Sequence, residues 1–283
     1  MEVPNWNRSR ERRRKPKESE MPYASVNGIR MYYEQDGAGP DVVLINGLSG
    51  HLGGWALQRR ALVESFRVTV FDNRGAGRSD APDEPYSIRL MADDTAALLD
   101  ALGIARAHVV GASMGGMIAQ ELAINYPQKV DRLVIACSRL KPGPIRELMG
   151  PIDLWLRENA LDRISLSLLT MPWGMSPSFM QDERRVLDRL ELAKRDPYPI
   201  SRHGYLRQHA AVMAHDTTGR LGRIAAPTLV LVGAEDILTP VRESEALAAA
   251  IPGSTLRVLP RGGHGFFSEY PDETIAALRK FLS

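Results

Sequence analysis

The chain has 283 residues, 44% hydrophobic and 25% charged, a composition that allows a sizeable buried core and excludes the disordered and fibrous classes. Its net charge of +2 is unevenly placed, because residues 1–20 hold seven basic and four acidic side chains and leave the remainder with one net negative charge. A near-neutral body has no electrostatic footprint for nucleic acid or an anionic membrane, and no window reaches 18 consecutive apolar residues. The single Cys137 permits neither an intramolecular disulfide nor a thiolate metal cluster, so a reducing, cytoplasmic setting is expected.

Residues 1–20 read as a basic, solvated tail rather than a secretory signal, since no apolar stretch follows the arginines. Tyr23 to Val26 and Ile29 to Gln35 flank Asn27-Gly28, a dipeptide that tolerates positive φ at both centres of a two-residue hairpin. Val42 to Ile45 is continuously apolar, as a strand covered on both faces must be. Further short apolar runs lie at Val68 to Phe71, His108 to Val110, Leu133 to Ala136, Thr228 to Val232 and Thr255 to Leu259. Ile88, Met91, Thr95, Leu98, Leu99 and Leu102 keep a 3.6-residue period between two of them, and Ile118 with Leu122 does so after another.

This alternation predicts an α/β fold: a mostly parallel, doubly wound sheet of about eight strands with helices on both faces. Its core is expected in two blocks, 21–138 and 221–283. The stretch 139–220 reads as an inserted helical cap, punctuated by Pro142, Pro144, Pro151, Pro172, Pro177, Pro197 and Pro199. Met149, Trp155, Met171, Trp173, Met175, Phe179 and Met180 suit an adaptable apolar pocket, although core packing would explain them equally well.

Gly111-Ala112-Ser113-Met114-Gly115 matches G-x-S-x-G directly after a strand and directly before a helix, where a sharp turn thrusts the serine oxygen outward. A serine hydroxyl needs a base to take its proton, and this architecture requires the chain order serine, acid, histidine. His264 fits, in the glycine-rich loop after Thr255 to Leu259. The acid should follow an earlier strand, and the run after Val232 offers Asp236, with Glu235 as the alternative; either could instead cap the helix near Val241. His51, His203, His209 and His215 read as packed or exposed residues, with His215 beside Asp216 the one to recheck. Acyl transfer also needs oxyanion donors, here the backbone N–H groups of Met114 and Leu48.

Leu44-Ile45-Asn46-Gly47, Asp72-Asn73-Arg74-Gly75-Ala76-Gly77-Arg78-Ser79, the serine turn, Asp236 and Gly263-His264-Gly265 together resemble the α/β-hydrolase superfamily over nearly the whole chain from Met21. Many members have His-Gly where this chain has Asn46-Gly47, a difference that keeps the N–H donor but alters the polarity beside it. The glycines of 74–78 lack the ending of a P-loop and the third glycine of a dinucleotide fingerprint, so no nucleotide, other cofactor or metal is implied. The resemblance implies hydrolysis of a small or medium carboxylic ester, thioester or lactone through an acyl-enzyme on Ser113, with a small molecule as the partner. It also admits carbon–carbon bond hydrolysis, acyl transfer or cofactor-free perhydrolysis on the same residues, and a ligand receptor with vestigial turnover. A serine at the turn argues against epoxide hydrolases and haloalkane dehalogenases, which carry an aspartate there.

Overall fold

The structure is a computed structural model that describes residues 22–283; the basic segment 1–20 lies outside them. The chain opens with β1 (Tyr23–Val26), β2 (Ile29–Asp36), β3 (Asp41–Ile45), α1 (Ala56–Leu62), β4 (Arg67–Phe71), α2 (Ile88–Ala101), β5 (Ala107–Ala112), α3 (Met114–Asn125) and β6 (Val130–Ala136). Five helices follow without an intervening strand: α4 (Pro144–Asn159), α5 (Arg163–Gly174), α6 (Pro177–Met180), α7 (Glu183–Arg195) and α8 (Arg202–Met213). The chain then returns through β7 (Thr228–Gly233), α9 (Val241–Ala250), β8 (Thr255–Leu259), α10 (Phe266–Glu269) and α11 (Pro271–Leu282).

The eight strands form one sheet in the order β1-β2-β4-β3-β5-β6-β7-β8. The β1–β2 and β2–β4 pairs are antiparallel and all later pairs are parallel. Asn27 and Gly28 take φ of 40° and 79°, the left-handed pair that the tight hairpin needs. Alternation within the buried strands feeds both faces: Val43, Ile45 and Val109 pack with α2 and α3, while Val42, Leu44 and Val110 pack with Leu62 of α1 and Leu278 of α11. Burying each such side chain contributes roughly 1.5–3 kcal/mol.

β3 is flanked by β4 on one side and β5 on the other, so successive crossovers leave it in opposite directions. At such a reversal the loops after neighbouring strands diverge and open a crevice at the carboxyl ends, the usual ligand position in an open α/β sheet. The helical insert α4–α8 lies between β6 and β7 in the chain. Two of its prolines, Pro144 and Pro177, begin helices where the missing N–H costs nothing, whereas Pro151 and Pro172 sit inside α4 and α5. No helix among the described residues is long and apolar enough to cross a membrane.

Candidate active site

Ser113 occupies the single residue between β5 and α3, with φ 56° and ψ −118°. A non-glycine residue rarely adopts such a backbone, and the surroundings hold it there. Its N–H donates to the Ala136 carbonyl at 2.9 Å, and its own carbonyl accepts the Ser138 hydroxyl at 2.9 Å. The flanking glycines are sterically required: a Cβ on Gly111 would lie 2.1 Å from the Gly115 carbonyl oxygen, and one on Gly115 would lie 2.1 Å from that of Ile45.

His264 and Asp236 meet across the loops after β8 and β7, with His264 Nδ1 2.9 Å from Asp236 Oδ2. Asp236 is 3% exposed and its carboxylate is saturated. Oδ1 accepts the N–H groups of Leu238 at 2.9 Å and Thr239 at 2.8 Å, and Oδ2 accepts the Thr239 hydroxyl at 2.6 Å. Burial acts to raise the Asp236 pKa, but the charge and hydrogen bond of His264 and the bonds from Thr239 outweigh it and hold the group below the ordinary carboxylate range. Glu235 turns elsewhere: its Oε2 accepts the Gly262 N–H at 2.9 Å and so braces the loop that carries His264.

The loop after β3 carries Asn46, Gly47 and Leu48 against the serine. A Cβ on Gly47 would lie 3.1 Å from that of Ser113, a tight contact that the glycine avoids where this backbone approaches the serine. Asn73 Nδ2 donates to the Asn46 carbonyl at 3.1 Å, and the Ser49 N–H donates to Gln208 Oε1 on α8 at 3.0 Å. Gln208 also donates to the Arg74 carbonyl at 2.8 Å, which ties the loops after β3 and β4 to the insert. Among the described residues, neither the Leu48 nor the Met114 N–H has an acceptor, and the buried Asn46 Nδ2 is likewise unpartnered. Asp72, fully buried, joins the two loops again by accepting the N–H groups of Leu52 at 2.6 Å and Arg78 at 2.9 Å.

Ser113, His264, Asn46, Gly47 and Leu48 all line one cavity of about 380 Å³, a size that suits a small ligand. The insert roofs it. Met149 and Trp173 reach the cavity, as do Arg146, Asp153 and Arg157 of α4 and Arg189 of α7; Met171 and Phe179 are buried and Trp155 faces solvent. Arg139, from the loop after β6, lines the floor. The roof is pinned to the histidine loop: Gly265 N–H donates to the Gly174 carbonyl at 2.7 Å, and buried Glu269 accepts the N–H groups of Gly263 at 2.9 Å and Ser176 at 3.0 Å.

The remaining histidines are occupied elsewhere. His203 Nε2 lies 2.8 Å from the Ala81 carbonyl oxygen, and His51 accepts the Gly53 N–H and faces Asp196 at 3.2 Å. His209 and His215 are buried, which pushes both down to about 4 and keeps them neutral near pH 7. Arg74 forms a doubly bonded buried pair with Asp94, at 2.6 and 2.9 Å, and Arg78 lies over the rings of Tyr32 and Tyr198, so both serve the architecture. Cys137, Asp236 and His264 offer clustered ligand atoms, but Nδ1 is committed to Asp236 and burial keeps the thiol protonated.

Comparison with known proteins identifies the fold family. Residues 40–271 match the model of the alpha/beta hydrolase fold family, and the chain belongs to that family. It is 34% identical over 270 residues to the protein named "Putative carbamate hydrolase RutD" of Caulobacter sp. (strain K31), covering 93% of this chain and 98% of that one. It is 33% identical over 220 residues to 3-oxoadipate enol-lactonase 2 of Acinetobacter baylyi, covering 78% of this chain and 80% of that one. The crystal structure of the enol-lactonase from Burkholderia xenovorans LB400 superposes with a TM-score of 0.83 at 30% identity, covering 92% of this chain and 99% of that one. The protein is therefore a hydrolase of the alpha/beta fold.

Proposed function

We propose that the chain hydrolyses a small or medium carboxylic ester or lactone through an acyl-enzyme on Ser113, with His264 as general base and acid and Asp236 as its orienting partner. The observation that carries this reading is the strained Ser113 opening onto the same cavity as a histidine whose Nδ1 is bonded to a buried carboxylate. With Nδ1 committed to Asp236, Nε2 of His264 is left to take the serine proton. Ser113 Oγ then bonds to the substrate carbonyl carbon, and the oxyanion that forms is held by the free N–H groups of Leu48 and Met114. Collapse breaks the bond to the leaving oxygen, which receives the proton from His264. Water then repeats the sequence to release the acid and restore Ser113.

The relatives named for carbamate and enol-lactone hydrolysis act on acyl carbonyls too, which supports the reading. Proposed with it is the division into a core of 21–138 and 221–283 and a cap of 139–220 that selects the substrate. Turnover of p-nitrophenyl esters across acyl lengths tests the reaction. Wild-type turnover above background that Ser113→Ala abolishes is expected; wild-type turnover at background, with Ser113 still reactive, would favour carbon–carbon hydrolysis, acyl transfer or a receptor instead.

A further inference from the structure

The cavity above Ser113 is lined by four guanidinium groups, those of Arg139, Arg146, Arg157 and Arg189, and by one carboxylate, Asp153. In a lining that is otherwise largely apolar, with Met117, Met149, Trp173, Val212 and Phe267, these groups call for a reason, because guanidinium groups taken from water are costly unless paired and fully hydrogen-bonded. Asp153 cannot balance them. It lies 3.8 Å from Arg146 Nη2 and 3.5 Å from Arg157 Nε, and it also accepts the Tyr205 hydroxyl. Arg139 and Arg189 have no carboxylate within ion-pair distance among the described residues; Arg139 instead donates to the Leu238 carbonyl at 2.5 Å.

Individual donor atoms are left over as well. Arg139 Nε, Arg146 Nη2 and Arg157 Nε are buried without a hydrogen-bond acceptor, in side chains that line the cavity. Arg139 and Arg146 are only 3% and 6% exposed. Burial also pushes the pKa of Arg139, Arg146 and Arg157 down, the direction expected where positive charge is under-compensated. The helix carrying two of these residues lines the cavity with charged side chains as well as with the apolar Met149, Ile152 and Leu156. Arg146, Asp153 and Arg157 face the cavity, while Leu148 and Trp155 of the same helix are 74% and 61% exposed.

We propose that the cavity is an anion site, and that the substrate carries a carboxylate, separate from the scissile ester, which the guanidinium groups of Arg146 and Arg139 bind with Arg157 and Arg189 at the rim. The proposal rests on the assignment of Ser113 as nucleophile for the word substrate, but not for the anion site itself. A carboxylate offers two acceptor oxygens to donors that now have none, and a planar guanidinium matches it in a bidentate pair. The reacting carbonyl then sits at the floor, beside Ser113, with the charged end toward the insert.

The test compares monomethyl glutarate with dimethyl glutarate, the same skeleton with and without the free carboxylate, in a pH-stat with the full-length enzyme. Calorimetric titration of glutarate runs alongside and needs no turnover. The expected result is a kcat/KM at least about tenfold higher for the monoester, falling as salt is raised, with the monoester-to-diester ratio and glutarate affinity each lowered about thirtyfold in Arg146→Met. Because an apolar residue replaces a buried cation, that variant should fold with an unchanged or higher Tm, and Arg157→Met supplies a second reading of the same ratio. Both esters cleaved with the diester preferred, and no glutarate binding at millimolar concentration, would overturn the anion site while leaving the hydrolase reading intact. Glutarate binding that depends on Arg146, with neither ester cleaved, would uphold the anion site and count against Ser113 as nucleophile. Neither cleavage nor binding would overturn both.

Discussion

At the floor of the cavity, the carboxylates that hold the loops after β7 and β8 are hydrogen-bonded: Asp236 accepts from Leu238 and Thr239 and is bonded to His264, Glu235 braces Gly262, and Glu269 holds Gly263. At the roof, α4 leaves donor atoms of Arg146 and Arg157 buried without a hydrogen-bond acceptor, with Asp153 the one carboxylate near both among the described residues, and turns Leu148 and Trp155 to solvent. The contrast separates two tasks. In the proposed mechanism a hydrogen-bonded floor holds the reacting groups in one geometry before substrate arrives, which is where catalytic power would come from. An unsatisfied roof has interactions still to make, which is where selectivity comes from.

The largest break in this comparison is Ser113→Ala, expected to lower kcat by about six decades, as loss of the nucleophile does in a serine protease triad. Steady-state kinetics with active-site-matched protein measures it. Asp236→Asn should cost about four decades, because His264 loses the partner that fixes its tautomer, while Glu235→Gln should remain within about tenfold of wild type. A reversed ranking of those two variants would move the acid to Glu235.

Stability against pH sharpens the same contrast away from the site. His215 is buried with its pKa pushed down to about 4, so below pH 6.5 the unfolded chain takes up a proton that the folded chain refuses until about pH 4. Stability therefore falls as pH drops from about 6.5 to about 4, by roughly 3 kcal/mol from this group alone. Urea unfolding of the wild type across that window should show the loss, and His215→Gln should show a shallower one. Asp236 acts in the same sense in a more acidic window. Its lowered pKa adds stability above the ordinary carboxylate range that is lost as pH falls through its folded-state value. A modest effect is expected of Thr239→Val, which removes one hydrogen bond to Asp236 and should lower kcat about tenfold with little change in KM.

The strands, the hairpin at Asn27-Gly28 and the serine turn were all legible in the sequence because each depends on local periodicity or on a backbone that only certain residues tolerate. His264 was legible for a related reason, since chain order and a glycine-rich loop place it at the edge where Ser113 emerges. The choice between Asp236 and Glu235 was not, because one residue of loop register decides which carboxylate faces inward. Thr239, Gln208 and Glu269 went unnoticed since their partners lie on other elements; only the three-residue spacing from Asp236 to Thr239, typical of a self-capping turn, carried a local signal. The arginines of α4 also passed unread, because charged residues on an amphipathic helix are ordinarily the solvated face. The spacing of Arg146, Met149, Asp153 and Arg157 along one stripe could have raised the question, but only packing shows that this stripe faces inward.

In the proposed mechanism Ser113 is a nucleophile activated by His264 and Asp236. Incubation with a fluorophosphonate, followed by peptide mass mapping, tests it most directly. A single phosphonyl adduct is expected on the peptide containing Ser113, formed far more slowly in Asp236→Asn. An unmodified Ser113 in folded protein, or an adduct on another residue such as Ser138, would contradict it.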